Sequence, residues 1–311
     1  MATIITLTLN PSLDNATSTP RIYPDGKLRC GRPTYEPGGG GINVARAIRK
    51  LGGEALALFP AGGPTGEHLA RLLDDEGVAN QPLAISDWTR ECFNIVEEQS
   101  GQQYRFVMPG AALSGSEQDA VVAAITALPA CDYLVISGSL PDGVDGDYLI
   151  RLVAAGKARG AAIIVDSSGK PLRQVVSQGG LTLIKPNLGE LAALAGVEIH
   201  DQDQIATIAR SLIDAGKTEV VLVSLGPQGA LLVTASDELQ IVPPAVKKQS
   251  TVGAGDSMVG AVTLKRSQGA SWRDAARYGV AAGTAATLNK GTELCRKADV
   301  ERIFAWLSEK R

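Results

Sequence analysis

Short apolar runs rich in β-branched residues alternate along this chain with segments whose apolar residues recur at helical spacing. The strand-like runs cover residues 4–9, 55–59, 133–137, 162–165, 181–184 and 220–223. The helix-like segments cover residues 43–51, 67–75, 146–158 and 202–215. Such alternation predicts an α/β fold with a mainly parallel central sheet flanked by helices. From Asp256 to the end, the pattern is almost entirely helical.

Two stretches break this alternation, residues 12–37 and 90–109. The second predicts two strands joined at Ser100-Gly101, which is typical of a hairpin. Both stretches are rich in aromatic residues, namely Tyr23, Tyr35, Phe93, Tyr104 and Phe106. We interpret them as a small β lid that covers substrate or a second subunit; a solvated hairpin with a minor core is the alternative. We expect one domain over residues 1–311, with lid strands at about 12–37 and 90–109, and a homodimer formed through the lid.

Charge and residue counts exclude several classes of function. Lys and Arg total 30 against 33 acidic residues, a net charge of -3, so no overall field favours nucleic acid or an anionic membrane. Two histidines are too few for a three-histidine zinc site. The four cysteines are widely spaced without a CxxC motif, which favours reduced thiols over a disulfide framework. We expect a cytoplasmic protein with no disulfides, no nucleic-acid partner and no membrane contact.

Glycine is in excess, at 35 of 311 residues, but the common glycine-rich fingerprints do not match. A GxGxxG motif starting at Gly253 is interrupted by Met258, which argues against a dinucleotide oxidoreductase. No GxxxxGK[ST] sequence occurs, so a Walker-type phosphate loop is excluded. A GxSxG hydrolase turn around Ser257 is interrupted by Val259.

One glycine-rich block, STVGAGDS at residues 250–257, precedes a helix of small residues. Glycines before a helix allow backbone N–H groups to converge on an anion, and the helix dipole adds positive potential there. Asp256 in the first turn stays ionised in that potential and can accept a proton from a hydroxyl that attacks phosphorus. We interpret Asp256 as a catalytic base. A plain helix start with an N-terminal aspartate explains GAGD taken alone equally well.

A second block, PGGGGINVARA at residues 37–47, places four glycines before an alanine-rich helix. The absence of side chains in the turn lets a polar ligand touch backbone amides, and Asn43 offers a donor and an acceptor to a sugar hydroxyl. A flexible loop is the alternative explanation of four glycines.

Together, the two blocks resemble the signatures of the ribokinase-like (PfkB-type) carbohydrate kinases. The first, with Gly52 and Gly62, is similar to the N-terminal signature of that family, and STVGAGDSMVGA is similar to the C-terminal one. The resemblance extends along the chain through TLNPSLD at residues 8–14, SGSLPDG at 137–143, KPNLGE at 185–190 and SLGPQGA at 224–230. It implies a ribokinase-like fold and phosphoryl transfer from MgATP to a sugar hydroxyl.

The resemblance also implies a role for each matching residue. At the reaction centre it implies Asp256 as base and an anion hole formed by the amides of Gly253, Ala254 and Gly255. The sugar pocket that it implies contains Asp14, Gly39, Gly40, Gly41, Asn43 and Ser139. The implied nucleotide site contains Lys185, Asn187, Ser224, Leu225, Gly226, Pro227, Gln228, Gly229 and Thr251.

Two metal sites follow from the same resemblance. Asn187 and Glu190 would orient hydrated Mg²⁺, although Asn-x-x-Glu after Lys-Pro is also a helix capping box. Carbonyl-rich loops would bind K⁺ with Ser250, Val252, Ala286, Asn289, Gly291 and Glu293. Many family members carry Asp or Asn at the position of Ser250.

The sugar is indicated by the glycine block. Kinases of fructose 1-phosphate and tagatose 6-phosphate carry GGKG, whereas this chain has Gly40 in place of the lysine and is more similar to the branch that phosphorylates fructose 6-phosphate. Cations must bind the phosphate of that sugar, and Arg90 is the first candidate, followed by Lys27 from a neighbouring subunit and by Arg29. Members of that branch also bind a second, inhibitory ATP. A lysine would favour that binding at the position that Gly189 occupies in this chain.

We expect transfer of the γ-phosphoryl of MgATP to the 1-hydroxyl of fructose 6-phosphate, which yields fructose 1,6-bisphosphate. A tagatose-6-phosphate kinase or a 1-phosphofructokinase is the alternative within the family. A non-catalytic sugar-phosphate sensor is the alternative from another class.

Overall fold

The computed structural model describes residues 2–128, 130–289 and 291–309, and its strands form two separate sheets. In chain order the strands are β1 (Ile4–Leu7), β2 (Ser12–Thr19), β3 (Thr34–Gly38), β4 (Leu56–Ala61), β5 (Asn80–Ala84), β6 (Arg90–Glu97), β7 (Gln103–Val107), β8 (Tyr133–Ser137), β9 (Ala162–Asp166), β10 (Leu181–Ile184), β11 (Thr218–Ser224), β12 (Ala230–Thr234) and β13 (Glu238–Ile241). The helices are α1 (Gly40–Lys50), α2 (Gly63–Asp75), α3 (Gly115–Ala127), α4 (Gly146–Ala158), α5 (Gly169–Gln178), α6 (Leu188–Ala195), α7 (Gln202–Asp214), α8 (Ala254–Ser267), α9 (Trp272–Ala286) and α10 (Lys297–Glu309).

The larger sheet has nine strands in the order β13-β12-β11-β10-β9-β8-β1-β4-β5. From β5 to β11 neighbouring strands pair in parallel, while β12 and β13 add an antiparallel edge. The mainly parallel sheet expected from the sequence is therefore confirmed. Helices connect successive parallel strands because a parallel pair requires a long crossover connection.

Both faces of the central strands of this sheet are buried, which explains their continuous apolar runs. In β8, Val135 points into the core formed with α1, α2, α8, α9 and α10. Its neighbours Leu134 and Ile136 point into the opposite core, formed with α3 to α7. Because alternate residues of a strand face opposite sides, a strand covered on both faces must be apolar at every position.

The smaller sheet, called the lid below, has four strands in the order β3-β2-β6-β7. Strands β6 and β7 form an antiparallel pair, which confirms the hairpin predicted at Ser100-Gly101. Strand β2 pairs in parallel with β6, so that Asp14 lies opposite Cys92, two residues beyond Arg90. Residues two apart on a strand share a face, so Arg90 and Cys92 point to the same side of the lid.

The described helices include none that is both long and apolar enough to cross a membrane. The four cysteines, Cys30, Cys92, Cys131 and Cys295, are free thiols.

Candidate active site

A cleft of about 400 Å³ lies between the lid and the carboxyl ends of the parallel strands. Asp166 ends β9, Lys185 follows β10 directly, and Gly138 follows β8. In open α/β sheets the carboxyl ends of the strands are where ligands bind. A larger cavity of about 680 Å³ lies against Ile4 and Leu56 at the opposite ends of the strands, and it shares no described residue with this cleft.

Much of the predicted site comes together in the cleft. The predicted residues that line it are Asp14, Gly39, Gly40, Asn43, Arg90, Lys185, Thr251, Val252, Gly253, Gly255 and Asp256. Residues that line it without having been predicted are Ser12, Cys92, Phe93, Asn94, Arg105, Phe106, Val107, Gly138 and Asp166.

Asp256 lies in the first turn of α8, which begins immediately after Gly253. Gly253 caps the helix with φ of 71°, a left-handed conformation that glycine adopts without strain. The first N–H groups of a helix have no intrahelical partner, so they and the helix dipole offer positive potential to an anion. The turn thus places a carboxylate and an anion-binding backbone side by side.

The pKa of Asp256 is raised to about 6, chiefly by burial and also by the nearby carboxylate of Asp166. Three groups oppose this rise: Asn43 donates a hydrogen bond from Nδ2 to Asp256 Oδ2 at 3.0 Å, Lys185 contributes its positive charge, and the Ser137 hydroxyl acts in the same direction. A carboxyl group with this pKa is ionised at neutral pH and still takes up a proton readily, as a general base requires.

Lys185 is buried beside the nest formed by residues 253–255. Its ammonium lies 3.2 Å from Asp166, and a Cβ added at Gly255 would lie 3.3 Å from Lys185 Nζ. Burial alone would lower the pKa of Lys185, but the attraction and hydrogen bond of Asp166, with the charges of Asp256 and Glu190, raise it overall. Lys185 therefore stays cationic beside the backbone amides of residues 253–255, where an anion would bind.

Asp166 is the main site residue that sequence reasoning missed. It closes the run IIVD at the carboxyl end of a correctly predicted strand. That position in a parallel sheet is the signal by which it is identifiable, since such strand ends converge on one edge.

The glycine block forms the turn into α1. Gly39 has φ of 114°, and a Cβ at Gly40 would lie 2.5 Å from Ser137 Oγ. Glycine is required at both positions, and a lysine at position 40 would not fit without rearrangement. Gly41, predicted in the sugar pocket, packs against the carbonyl of Leu7 and does not contribute to the described cleft lining.

Asp14 and two arginines lie at the lid end of the cleft. Burial raises the pKa of Asp14, although the Ser12 hydroxyl, which donates to Asp14 Oδ1 at 2.6 Å, and the charges of Arg105 and Arg90 act against this rise. The guanidinium of Arg90 donates to three main-chain carbonyl groups, those of Asn10, Pro11 and Met108. Arg105, which sequence reasoning missed, also lines the cleft.

Besides Gly41, two further predicted sugar-binding residues do not contribute to the lining formed by the described residues. Lys27 lies in the exposed segment between β2 and β3. Ser139 is exposed, and its hydroxyl accepts a hydrogen bond from Asn10 Nδ2 at 3.1 Å. Their roles stay predictions.

The predicted nucleotide residues outside the cleft lie around the start of α6. Asn187 caps this helix through Oδ1, which accepts from the Glu190 amide at 2.9 Å, and Glu190 Oε2 accepts from the Asn187 amide at 2.8 Å. The capping box expected from the sequence is confirmed. The Ser224 amide donates to the carbonyl of Pro186 at 2.9 Å, so residues 224–229 begin directly beside this helix start.

The predicted K⁺ residues belong to two adjoining segments. Ser250 Oγ donates to the Gly291 carbonyl at 3.0 Å, which joins residues 250–252 to the described residues 286–289 and 291–293. In the second segment Asn289 Nδ2 donates to the Leu294 carbonyl at 2.6 Å. The Gly291 carbonyl is thus held beside Ser250, four residues before the start of α8.

Comparison with known proteins agrees with this architecture. The model of the pfkB family of carbohydrate kinases matches residues 7–299. The chain belongs to this family.

Among the relatives is the ATP-dependent 6-phosphofructokinase isozyme 2 of Escherichia coli, which is 54% identical over 308 residues, covering 99% of this chain and 100% of that protein. The crystal structure of phosphofructokinase-2 from Escherichia coli in complex with potassium superposes with a TM-score of 0.96 at 54% identity, covering 99% of this chain and 100% of that one. The same enzyme in complex with fructose-6-phosphate gives a TM-score of 0.94 at 52% identity with the same coverage.

Proposed function

We propose that this chain is an ATP-dependent 6-phosphofructokinase, which transfers the γ-phosphoryl group of MgATP to the 1-hydroxyl of fructose 6-phosphate. The observation that carries the proposal is the cleft itself, in which Asp256 lies at a helix N-terminus beside Lys185, with Asp14 and two arginines at the lid end. The 54% identity to the Escherichia coli enzyme of this name supports the same substrates.

In the proposed reaction, Asp14 accepts a hydrogen bond from a sugar hydroxyl and orients the 1-hydroxyl toward Asp256. Asp256 takes the proton of that hydroxyl while the hydroxyl oxygen bonds to the γ-phosphorus. At the same time the bond from the γ-phosphorus to the bridging oxygen of ADP breaks. The amides of residues 253–255 and the ammonium of Lys185 stabilise the negative charge on the transferred group. The lid excludes water that would otherwise hydrolyse ATP.

Mg²⁺ fits the start of α6. It prefers oxygen ligands and retains several of its waters, and the exposed amide of Asn187 with the partly exposed carboxylate of Glu190 suits a hydrated ion. The capping box uses one oxygen of Glu190, Oε2, which leaves Oε1 for such contacts. When bound with the nucleotide, Mg²⁺ neutralises phosphate charge, and Asn187 and Glu190 would orient its waters.

We also propose a K⁺ site between residues 250–252 and the described residues 286–289 and 291–293. The bond from Ser250 to the Gly291 carbonyl holds the two carbonyl-rich segments together. The structure of the Escherichia coli enzyme in complex with potassium supports K⁺ binding by this chain, without giving its place. K⁺ would stabilise the turn that leads into Gly253.

Arginines of the lid are the proposed contacts of the sugar phosphate. The two guanidinium groups of Arg90 and Arg105 lie in the cleft near Asp14. The Arg90 guanidinium already donates to three main-chain carbonyl groups. More donors of Arg105 are therefore available for a phosphate. Lys27 would act from a second subunit.

The second subunit would pack on the lid over a row of residues that includes Phe93 and Phe106, both of which also line the cleft. Strand register places Tyr35, Asn15, Phe93 and Phe106 in one row across all four strands. Phe106 is 45% exposed and Tyr35 36% exposed, which leaves an aromatic stripe suited to an interface. Sedimentation of Phe106→Asp should show monomers, whereas Val197→Asp, at an exposed apolar residue outside the lid, should sediment like the unmodified protein.

A coupled assay of ADP release tests the catalytic proposal. Fructose 6-phosphate, fructose 1-phosphate and tagatose 6-phosphate would be compared, each with and without K⁺. We expect the highest kcat/KM on fructose 6-phosphate and an increase with K⁺. Preference for another sugar would favour one of the alternative kinases, and no turnover above background would favour a sugar-phosphate sensor. We place the reaction in the cytoplasm, where ATP is available and thiols such as those of this chain stay reduced.

A further inference from the structure

Arg46 is a buried arginine behind the proposed catalytic base. It lies on α1 and is 1% exposed. Its Nε and Nη2 donate to the two carboxylate oxygens of Glu76 at 2.8 and 2.6 Å, and Glu36 lies 3.8 Å from Nη2. Its remaining nitrogen, Nη1, points toward the glycine block and donates to three oxygens, those of Asn43 Oδ1, the Pro37 carbonyl and the Thr292 carbonyl.

The contact with Asn43 has a directional consequence. Arginine has donors only, so the atom that Asn43 presents to Arg46 Nη1 at 3.3 Å must be the carbonyl oxygen of its amide. The amide nitrogen is then directed to the opposite side, where it donates to Asp256 Oδ2 at 3.0 Å. With no donor at position 46, a flipped amide would place its oxygen against the Asp256 carboxylate.

We propose that Arg46 is a positioning residue for the base, which acts by holding the amide of Asn43 with its nitrogen directed at Asp256. The inference rests on the proposed kinase function, in which Asp256 accepts the proton. Arg46 contacts neither the cleft nor the reacting atoms, and its effect passes through Asn43. The bond from Asn43 stabilises the ionised form of Asp256, so its loss raises the pKa of the base.

Other groups that face Asp256 are independent of Arg46. Asp166 at the end of β9 raises the pKa of Asp256, whereas Lys185 after β10 and the Ser137 hydroxyl of β8 lower it. None of the three is bonded to Arg46. A change at position 46 that moves the titration of Asp256 is therefore transmitted by Asn43.

The test compares Arg46→Lys with the unmodified enzyme in the pH dependence of kcat. A lysine keeps the positive charge beside Glu76, which favours folding, but one ammonium cannot hold Glu76 and Asn43 together. We expect the acidic limb of the pH-rate profile, where kcat falls on acidification, to move to higher pH by about one unit. This is the pKa shift that corresponds to the loss of one charge-assisted hydrogen bond. Turnover relative to the unmodified enzyme then falls about fivefold near pH 6 and is restored to within about twofold near pH 8.

Two further variants separate positioning from a loss of stability. Glu76→Gln weakens the same buried cluster without touching Asn43, and we expect a lower Tm with an unchanged acidic limb. Asn43→Ala should show the raised limb by itself, and adding Arg46→Lys to it should move the limb no further.

Three results would overturn the inference: an unchanged limb in Arg46→Lys, an equal shift in Glu76→Gln, or an additional shift in the double variant. Failure of the proposed function is a separate outcome, seen as absent turnover of the unmodified enzyme on all sugar phosphates. In that event the titration of Asp256 followed by ¹³C NMR tests the same pKa shift in the same variants.

Discussion

Asp256→Asn should stabilise this protein while it removes catalysis. Burial raises the pKa of the Asp256 carboxyl from its ordinary 3.8 to about 6, and this shift of about two units corresponds to about 3 kcal/mol against the ionised folded state. The folded chain binds this proton more tightly than the unfolded chain does. Its stability therefore falls as the pH rises from about 4 to about 6, and it stays lower above that range.

The asparagine variant has no charge to bury at this position. Its side-chain oxygen can still accept the hydrogen bond of Asn43, and Lys185 keeps its ion pair with Asp166. At pH 8 we expect the free energy of unfolding to exceed that of the unmodified protein by up to about 3 kcal/mol. For a chain of 311 residues this corresponds to a rise in Tm of roughly 4 °C. Near pH 4 the difference should shrink to well under about 1 kcal/mol, because the folded aspartate is then protonated and the unfolded one, with its ordinary pKa of 3.8, is close to half protonated.

Thermal unfolding at pH 4.5, 6 and 8 and steady-state turnover measure the two effects on the same samples. The kcat should fall on the order of 10² to 10⁴, the usual share of general-base catalysis, with substrate binding largely kept. Asp142→Asn, at an exposed aspartate, is the control and should change neither quantity. A Tm gain independent of pH, a loss of stability at pH 8, or turnover close to that of the unmodified enzyme would refute the reasoning.

Three further outcomes follow from the cleft. Arg105→Ala and Arg90→Ala should each raise KM for the sugar phosphate with little change in KM for ATP, and only Arg90→Ala should also lower Tm, because its guanidinium holds three main-chain carbonyl groups; equal effects on both substrates would contradict contact with the sugar phosphate. Gly40→Ala should reduce kcat at least about tenfold, because its Cβ would lie 2.5 Å from Ser137 Oγ. The control Gly115→Ala, where a Cβ meets nothing within 4 Å, should leave kcat unchanged. The unmodified enzyme should lose kcat on acidification with a midpoint near pH 6, as measured by a pH-rate profile, and a midpoint below pH 5 would exclude a base with this raised pKa.

The sequence predicted most of the main sheet because strands buried on both faces need apolar residues at every position. Residues 133–137, 146–158 and 181–184 form elements with the predicted bounds. Strand β5, with the sequence NQPLA, was missed because it lies at an edge and is largely exposed. Strands β12 and β13 were missed for a related reason, since a short antiparallel edge lacks the crossover helices that mark a parallel strand.

The candidate base and the glycine-rich helix start were also accessible from the sequence. A nest of N–H groups before a helix is a local structure, made by the backbone of consecutive residues such as 253–256. Glycine at such positions is visible in the sequence because no other residue adopts the same conformation without strain. The local prediction did not include Asp166 or Arg105, whose importance depends on partners far away along the chain.

The sequence by itself determined the alternation of strands and helices, the glycine-rich starts of α1 and α8, and Asp256 as the candidate base. Only the tertiary structure decided that Asp166 pairs with Lys185, that Arg90 is held by main-chain carbonyl groups, and that Arg46 lies behind Asn43. The physical reason is the range of the interactions. Periodicity and turn conformation depend on neighbours in sequence, whereas desolvation, ion pairs and side-chain orientation depend on distances through space between segments that meet only when the chain folds.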